Sequence, residues 1–245
     1  LSGLRNTAVG ADAGTAVTTG DDNVLIGYQA GDAFTGASQN IAIGTDALGG
    51  ATYSASNNIA IGYRAGDALT TGQQHILIGT NAGGALTTAS DNIAIGFGAL
   101  DAPTGNGQNI AIGTDALGGA SNAASSNIAI GYQPGDAITS GTRNVLVGTD
   151  TGGALTTGAD NIAIGYQALD APTTQSQNVA IGTDALGGAT YAAAANIAIG
   201  YLSMDAATTG VRNTAVGWTS LSAIMTASDS TAVGYNALAL DTGGS

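Results

Sequence analysis

Asn40-Ile41-Ala42-Ile43-Gly44 is the stretch that decides the fold. It returns unchanged at Asn58, Asn92, Asn109, Asn127, Asn161 and Asn196, and close variants such as Asn178-Val179-Ala180-Ile181-Gly182 and His75-Ile76-Leu77-Ile78-Gly79 fill the gaps. Fourteen copies run from Asn6 to Ser230, and the step between them stays constant to within a single position. A fixed period through a whole chain is the signature of stacked structural repeats. The longer steps begin at Asn40, Asn109 and Asn178, so four copies make one higher-order unit.

Within a copy, the β-branched run after Asn predicts a short strand whose side chains alternate between two faces. The glycine that follows, Gly44, Gly113 and Gly182 among them, is read as a corner, where positive φ or close backbone approach is needed. About a dozen residues remain for the return, with Thr-Thr-Gly turns at Thr18-Thr19-Gly20, Thr70-Thr71-Gly72 and Thr208-Thr209-Gly210 and room for a second short strand. This predicts an all-β fold, a parallel β-solenoid of about fourteen coils. At ~4.8 Å per coil the stack is a rod of roughly 65 Å. Stacking would place Asn40, Asn109, Asn178 and their equivalents in one row, able to hydrogen-bond amide to amide. His75 stands in that row as a tolerated substitution. The repeat covers residues 1–245, which are read as a single module and as a segment of a longer fibre protein.

The residue before each Asn tests the stacking. Arg5 is followed one coil later by Asp22, Arg143 by Asp160, and Arg212 by Asp229. Three of the four arginines therefore meet an aspartate in the same slot of the next coil, which predicts direct ion pairs between coils.

Composition narrows the function. Net charge is −13, with no Lys or Glu, 17 Asp and four Arg among 245 residues. Such a balance argues against nucleic acid or anionic lipid as partner. No apolar run is long enough to insert in a membrane. One His and no Cys, Lys or Glu leave most covalent and acid–base schemes without members. The aspartates at 32, 67, 101, 136, 170 and 205 recur as turn residues rather than as one singular pair, so the chain is read as non-enzymatic. No cofactor is expected. Calcium is the one metal that oxygen-only ligands would suit, but the nine-residue calcium-binding roll motif is not present.

Tyr28, Tyr63, Phe97, Tyr132, Tyr166, Tyr201, Trp218 and Tyr235 follow the corner glycine, mostly in alternate coils. Tyr132, Tyr166, Tyr201 and Trp218 are candidate glycan contacts, since amphipathic rings suit sugar faces. The competing expectation is that the rings pack on neighbouring coils or seal a subunit interface.

A coil this short encloses little volume. The expectation is that the β-branched pair points into the coil and that Ala or Leu points outward as an exposed apolar strip. Such strips mark interfaces, and cyclic symmetry would let copies close around an axis. The Asn-Ile-Ala-Ile-Gly and Asn-Thr-Ala-Val-Gly repeats, with Tyr235-Asn236-Ala237-Leu238, resemble the head repeats of trimeric autotransporter adhesins and the repeats of phage tail fibres and surface fibres. The resemblance covers nearly the whole chain. It implies a left-handed β-roll, a homotrimer of parallel columns, an extracellular, cell-surface or virion location, and attachment to a host cell, receptor or surface. The alternatives are a dedicated glycan-binding module and a purely structural spacer. The coils here are longer than is common in the adhesin heads.

Overall fold

The computed structural model describes residues 3–50, 55–101, 107–119, 124–171, 174–188, 194–206, 209–222, 226 and 228–239. Thr208, quoted among the turns, lies outside the described residues. The chain divides into two compact units, residues 1–125 and 126–245. In the first, strands β1 (Thr7–Val9), β2 (Val24–Ile26), β3 (Ile41–Ile43), β4 (Ile59–Ile61), β5 (Ile76–Ile78), β6 (Ile93–Ile95) and β7 (Ile110–Ile112) pair in parallel in chain order. The second repeats this with β8 (Ile128–Ile130), β9 (Val145–Val147), β10 (Ile162–Ile164), β11 (Val179–Ile181), β12 (Ile197–Ile199), β13 (Thr214–Val216) and β14 (Thr231–Val233). One strand per coil, each beside the strand of the next coil, is a parallel β-solenoid.

Register is one repeat per rung: Ile162, Ala163 and Ile164 face Val179, Ala180 and Ile181. Corner glycines such as Gly44 and Gly182 are required twice over. Gly44, Gly113 and Gly182 have φ of 133°, 127° and 133°. A Cβ on Gly182 would also lie 2.5 Å from the Gly200 carbonyl oxygen of the next coil. The return segment carries no second strand among the described residues, yet its backbone is laddered too. Gly152 donates to the Ala168 carbonyl, Leu169 to Ala185 and Leu186 to Ser203, at 2.9–3.0 Å. It turns through left-handed residues, among them Asp150, Gln167, Leu169 and Asp184 with φ of 50–57°.

The sense of the strand is the reverse of the expectation. Ala42, Ala60, Ala94, Ala111, Ala163 and Ala180, with Leu25, Leu77 and Leu146, are fully or almost fully buried, whereas the flanking Ile and Val are half-exposed. The Asn row decides this. Its members from Asn23 to Asn213 are buried within the coil, and strict alternation then sends strand position 3 inward with Asn and positions 2 and 4 outward.

The interior is filled by exchange between two places. Where the strand centre is Leu, the residue facing it from the return segment is Gly: Leu25 lies against Gly14 and Gly31, Leu77 against Gly66 and Gly83, and Leu146 against Gly152. In other coils the centre is Ala and the return segment supplies buried Leu48, Leu100, Leu117, Leu169 or Leu186, while the coil of Ala60 has Gly66 there, against Leu48 and Leu77 of the adjacent coils. Interiors at crystal-like density resist overfilling and cavities alike. Ala163→Leu is therefore expected to destabilise by about 1–3 kcal/mol, and Leu169→Gly by a similar order through its cavity. The pair combined should cost less than the sum, measured as the coupling in a urea-denaturation double-mutant cycle.

Candidate functional site

Four columns carry polar or exposed chemistry: the Asn row inside, the two positions just before it, and the residue just after the corner.

The Asn row is a continuous hydrogen-bonded spine. Asn40 receives its place from Asn23, whose Oδ1 accepts from the Asn40 backbone N–H at 3.0 Å and from its Nδ2 at 3.1 Å. Asn40 Nδ2 also donates to the Ala55 carbonyl, near the end of its own coil. Asn178 repeats the first pair on Asn161 at 3.0 and 3.2 Å, and Asn109 donates its backbone N–H to Asn92 Oδ1 and its Nδ2 to the Ala124 carbonyl, at 2.9 Å each. One amide thus joins two coils and closes a third segment, so this buried polar group is satisfied. His75 does the same with a ring. Its Nε2 lies 2.7 Å from the Ala89 carbonyl, and Asn92 N–H donates to Nδ1 at 3.2 Å. These partners assign the neutral Nε2–H tautomer.

Just before the row, Arg143 grips Asp160 with two bonds, Nε–Oδ1 at 2.6 Å and Nη2–Oδ2 at 2.8 Å. Arg212 and Asp229 are joined at 2.6 and 2.7 Å, and Arg5 holds Asp22 in the same way. All six residues have φ of 57–61°, so successive coils project their side chains side by side. The Arg hydrogen bonds hold the carboxyls of Asp22, Asp160 and Asp229 below the ordinary value. The fourth arginine, Arg64, bonds Asp67 three residues on, in a polar groove with Asn81, Gly84 and Asp101. That pair lies within one coil and so carries no signal at the repeat period.

One slot earlier is a serine column that the sequence reasoning missed. The hydroxyl oxygens of Ser38, Ser90, Ser176 and Ser228 accept the backbone N–H of Asp21, Gln73, Ala159 and Val211 in the preceding coil. The recurrent Ser two residues before the row residue was the available signal.

The column after the corner is open to solvent. Tyr132 and Tyr166 are about half-exposed, Tyr201 38%, Trp218 54% and Tyr235 75%. The Tyr201 and Trp218 ring centroids lie 4.4 Å apart with planes 34° from parallel. No family model, curated protein or solved structure matches the chain.

Carboxylates of the return segment behave differently from the paired ones. Burial, then the nearest like charges, raises Asp32, Asp101 and Asp170, with Asp46, Asp67 and Asp150 as the first such neighbours. Asp205 is raised by burial and Asp184. Among the described residues no group of three or more His or Asp converges on a point that could hold a metal ion.

Two expected outcomes follow from this geometry. Exchanging Arg143 and Asp160 together should be tolerated better than either charge reversal alone, seen as a favourable coupling in melting temperature that weakens with salt. Burial pushes the His75 imidazole down from its ordinary 6.5. The unfolded chain then binds a proton that the folded chain resists, so stability is full above 6.5 and falls as pH drops below it. His75→Asn should flatten that dependence below pH 6.5 in denaturation midpoints, while the carboxylate contributions stay common to both proteins.

Proposed function

We propose that this chain is a rigid, non-enzymatic segment of a trimeric surface fibre, an adhesin or phage tail fibre, that serves attachment to a host cell or surface outside the cytoplasm. One observation carries the reading: the outward face of the strand ladder is free of charge and, from β2 to β12, built of Ile and Val alone. In β10, Ile162 and Ile164 are 40% and 39% exposed, and Ile130, Val147, Ile181 and Ile199 occupy the position of Ile164 in neighbouring rungs.

A ladder of half-exposed isoleucines is a poor terminal surface for an otherwise acidic chain. Burying it is worth about 25 cal/mol per Å² of apolar area. Another copy of the same stack has the same rung spacing, so its side chains interdigitate at every coil. The identical face on each copy suits closure around an axis. The number three, and the left-handed roll, come from the resemblance to adhesin heads. Parallel columns joined in this way resist bending, which suits a fibre that holds a binding surface away from its anchor.

Light scattering should give a mass of three times 23.5 kDa. Ile164→Asp together with Ile199→Asp should reduce it to one chain with unchanged β content by circular dichroism. A parent protein with the mass of a single chain excludes the trimer.

A further inference from the structure

The column after the corner glycine carries chemistry that stacking does not use. In residues 126–245 it runs Tyr132, Thr149, Tyr166, Thr183, Tyr201, Trp218 and Tyr235. A backbone ladder keeps it straight: Asp150 N–H donates to the Tyr132 carbonyl, Gln167 to Thr149, Asp184 to Tyr166, Leu202 to Thr183 and Thr219 to Tyr201, all at 2.8–3.0 Å. Each bond is one rung, so Tyr132, Tyr166 and Tyr201 recur about every 9.6 Å, twice the normal strand spacing. A threonine hydroxyl stands between successive rings, and the column itself holds no charge.

We propose that this column is a track for a neutral, extended β-1,4-linked glycan. A pyranose ring has an apolar face of C–H bonds and a polar rim, and aromatic side chains with an open face accept such a face. In an extended β-1,4-linked chain each ring is turned over relative to the last, and the chain advances per ring by about the rise of one coil. Alternate sugars therefore lie over alternate coils, stacked on Tyr132, Tyr166 and Tyr201. The sugars between them meet Thr149 and Thr183, whose hydroxyls bond the rim. At Tyr201 and Trp218 the rings sit on successive coils with centroids 4.4 Å apart and planes 34° from parallel, so Trp218 packs against one face of Tyr201 and fixes that ring at one end of the track. The net charge of −13 disfavours an acidic polysaccharide. An α-1,4-linked chain curves and leaves the register after a few rings. The inference rests on the attachment reading and names the ligand class of the fibre's side.

Isothermal titration of the full chain with cellohexaose and chitohexaose tests it, with maltohexaose as control. Saturable binding of at least one β-1,4 hexamer is expected, and much weaker binding of maltohexaose. Tyr132→Ala, Tyr166→Ala and Trp218→Ala should each weaken binding about two- to tenfold, the range that one aromatic contact supplies. Light scattering on each variant should return the parent mass. Absence of binding to both β-1,4 hexamers, or equal binding of maltohexaose, overturns the proposal. So does a fall in mass on removing the rings, which would assign them to the contact between copies. A trimer that ignores both sugars removes this inference alone, whereas a monomeric parent removes the trimer whatever the titration shows.

Discussion

A primary amide buried in a narrow coil must find an acceptor for its two N–H groups and donors for its oxygen, or cost about 1–3 kcal/mol for each group left alone. Asn144, Asn161 and Asn178 meet this requirement only when the next coil lies directly over the last. Asn161 Oδ1 accepts the backbone and side-chain N–H of Asn178, and its own Nδ2 reaches Asn144 and the Gln175 carbonyl. A slip of one residue would break the bonds of each such rung together. The spine therefore sets the vertical register, and through strand alternation it also sets which residues face in.

Once register is set, volume becomes the next constraint. A coil this small has little room to spare: the coil of Leu146 buries it together with Leu155 and places Gly152 against it, whereas the coil of Ala163 buries Leu169. The return segment must turn sharply to close within so few residues. It does so through left-handed backbone at several points, including Leu48, Leu117 and Leu186 with φ of 51°. Left-handed leucines are strained in isolation. Here the side chain is buried and the N–H is bonded to the next coil, as in Leu186 to Ser203, which offsets the strain.

The regularity of the repeat made the coil, the strand, the corner and the Arg–Asp slots legible, because each recurs at the repeat period and needs only counting. The inward sense of the strand was harder. Ile41, Ala42 and Ile43 are all apolar, so hydrophobicity alone favours burying the larger pair. The deciding residue is Asn40, which looks like a surface turn residue until its carbonyl partner on the return segment is known. That partner, Ala55, has no distinguishing side chain. The exchange between Leu77 with Gly83 and Ala163 with Leu169 links positions too distant for a pattern of period two to register, and it does not hold in every coil, since Ala60 is paired with Gly66. The half-exposed isoleucines that result are what give the attachment reading a self-association face.

His75 states the minimum that the spine demands. The position needs an acceptor above the next backbone N–H and a donor aimed at its own coil's returning carbonyl. A neutral imidazole offers one of each, and it takes both bonds. It lacks the second acceptance that an amide oxygen provides, and Asn92 Nδ2, one coil on, has no partner among the described residues. At this rung the row thus accepts a side chain that supplies one acceptor and one donor at opposite ends, with one bond fewer to the next rung. Asn is preferred because a single oxygen with two lone pairs serves both N–H groups of the next coil. A protonated ring offers two donors and no acceptor, so this substitution ties the spine's integrity at one coil to a neutral imidazole, a condition that no asparagine rung imposes.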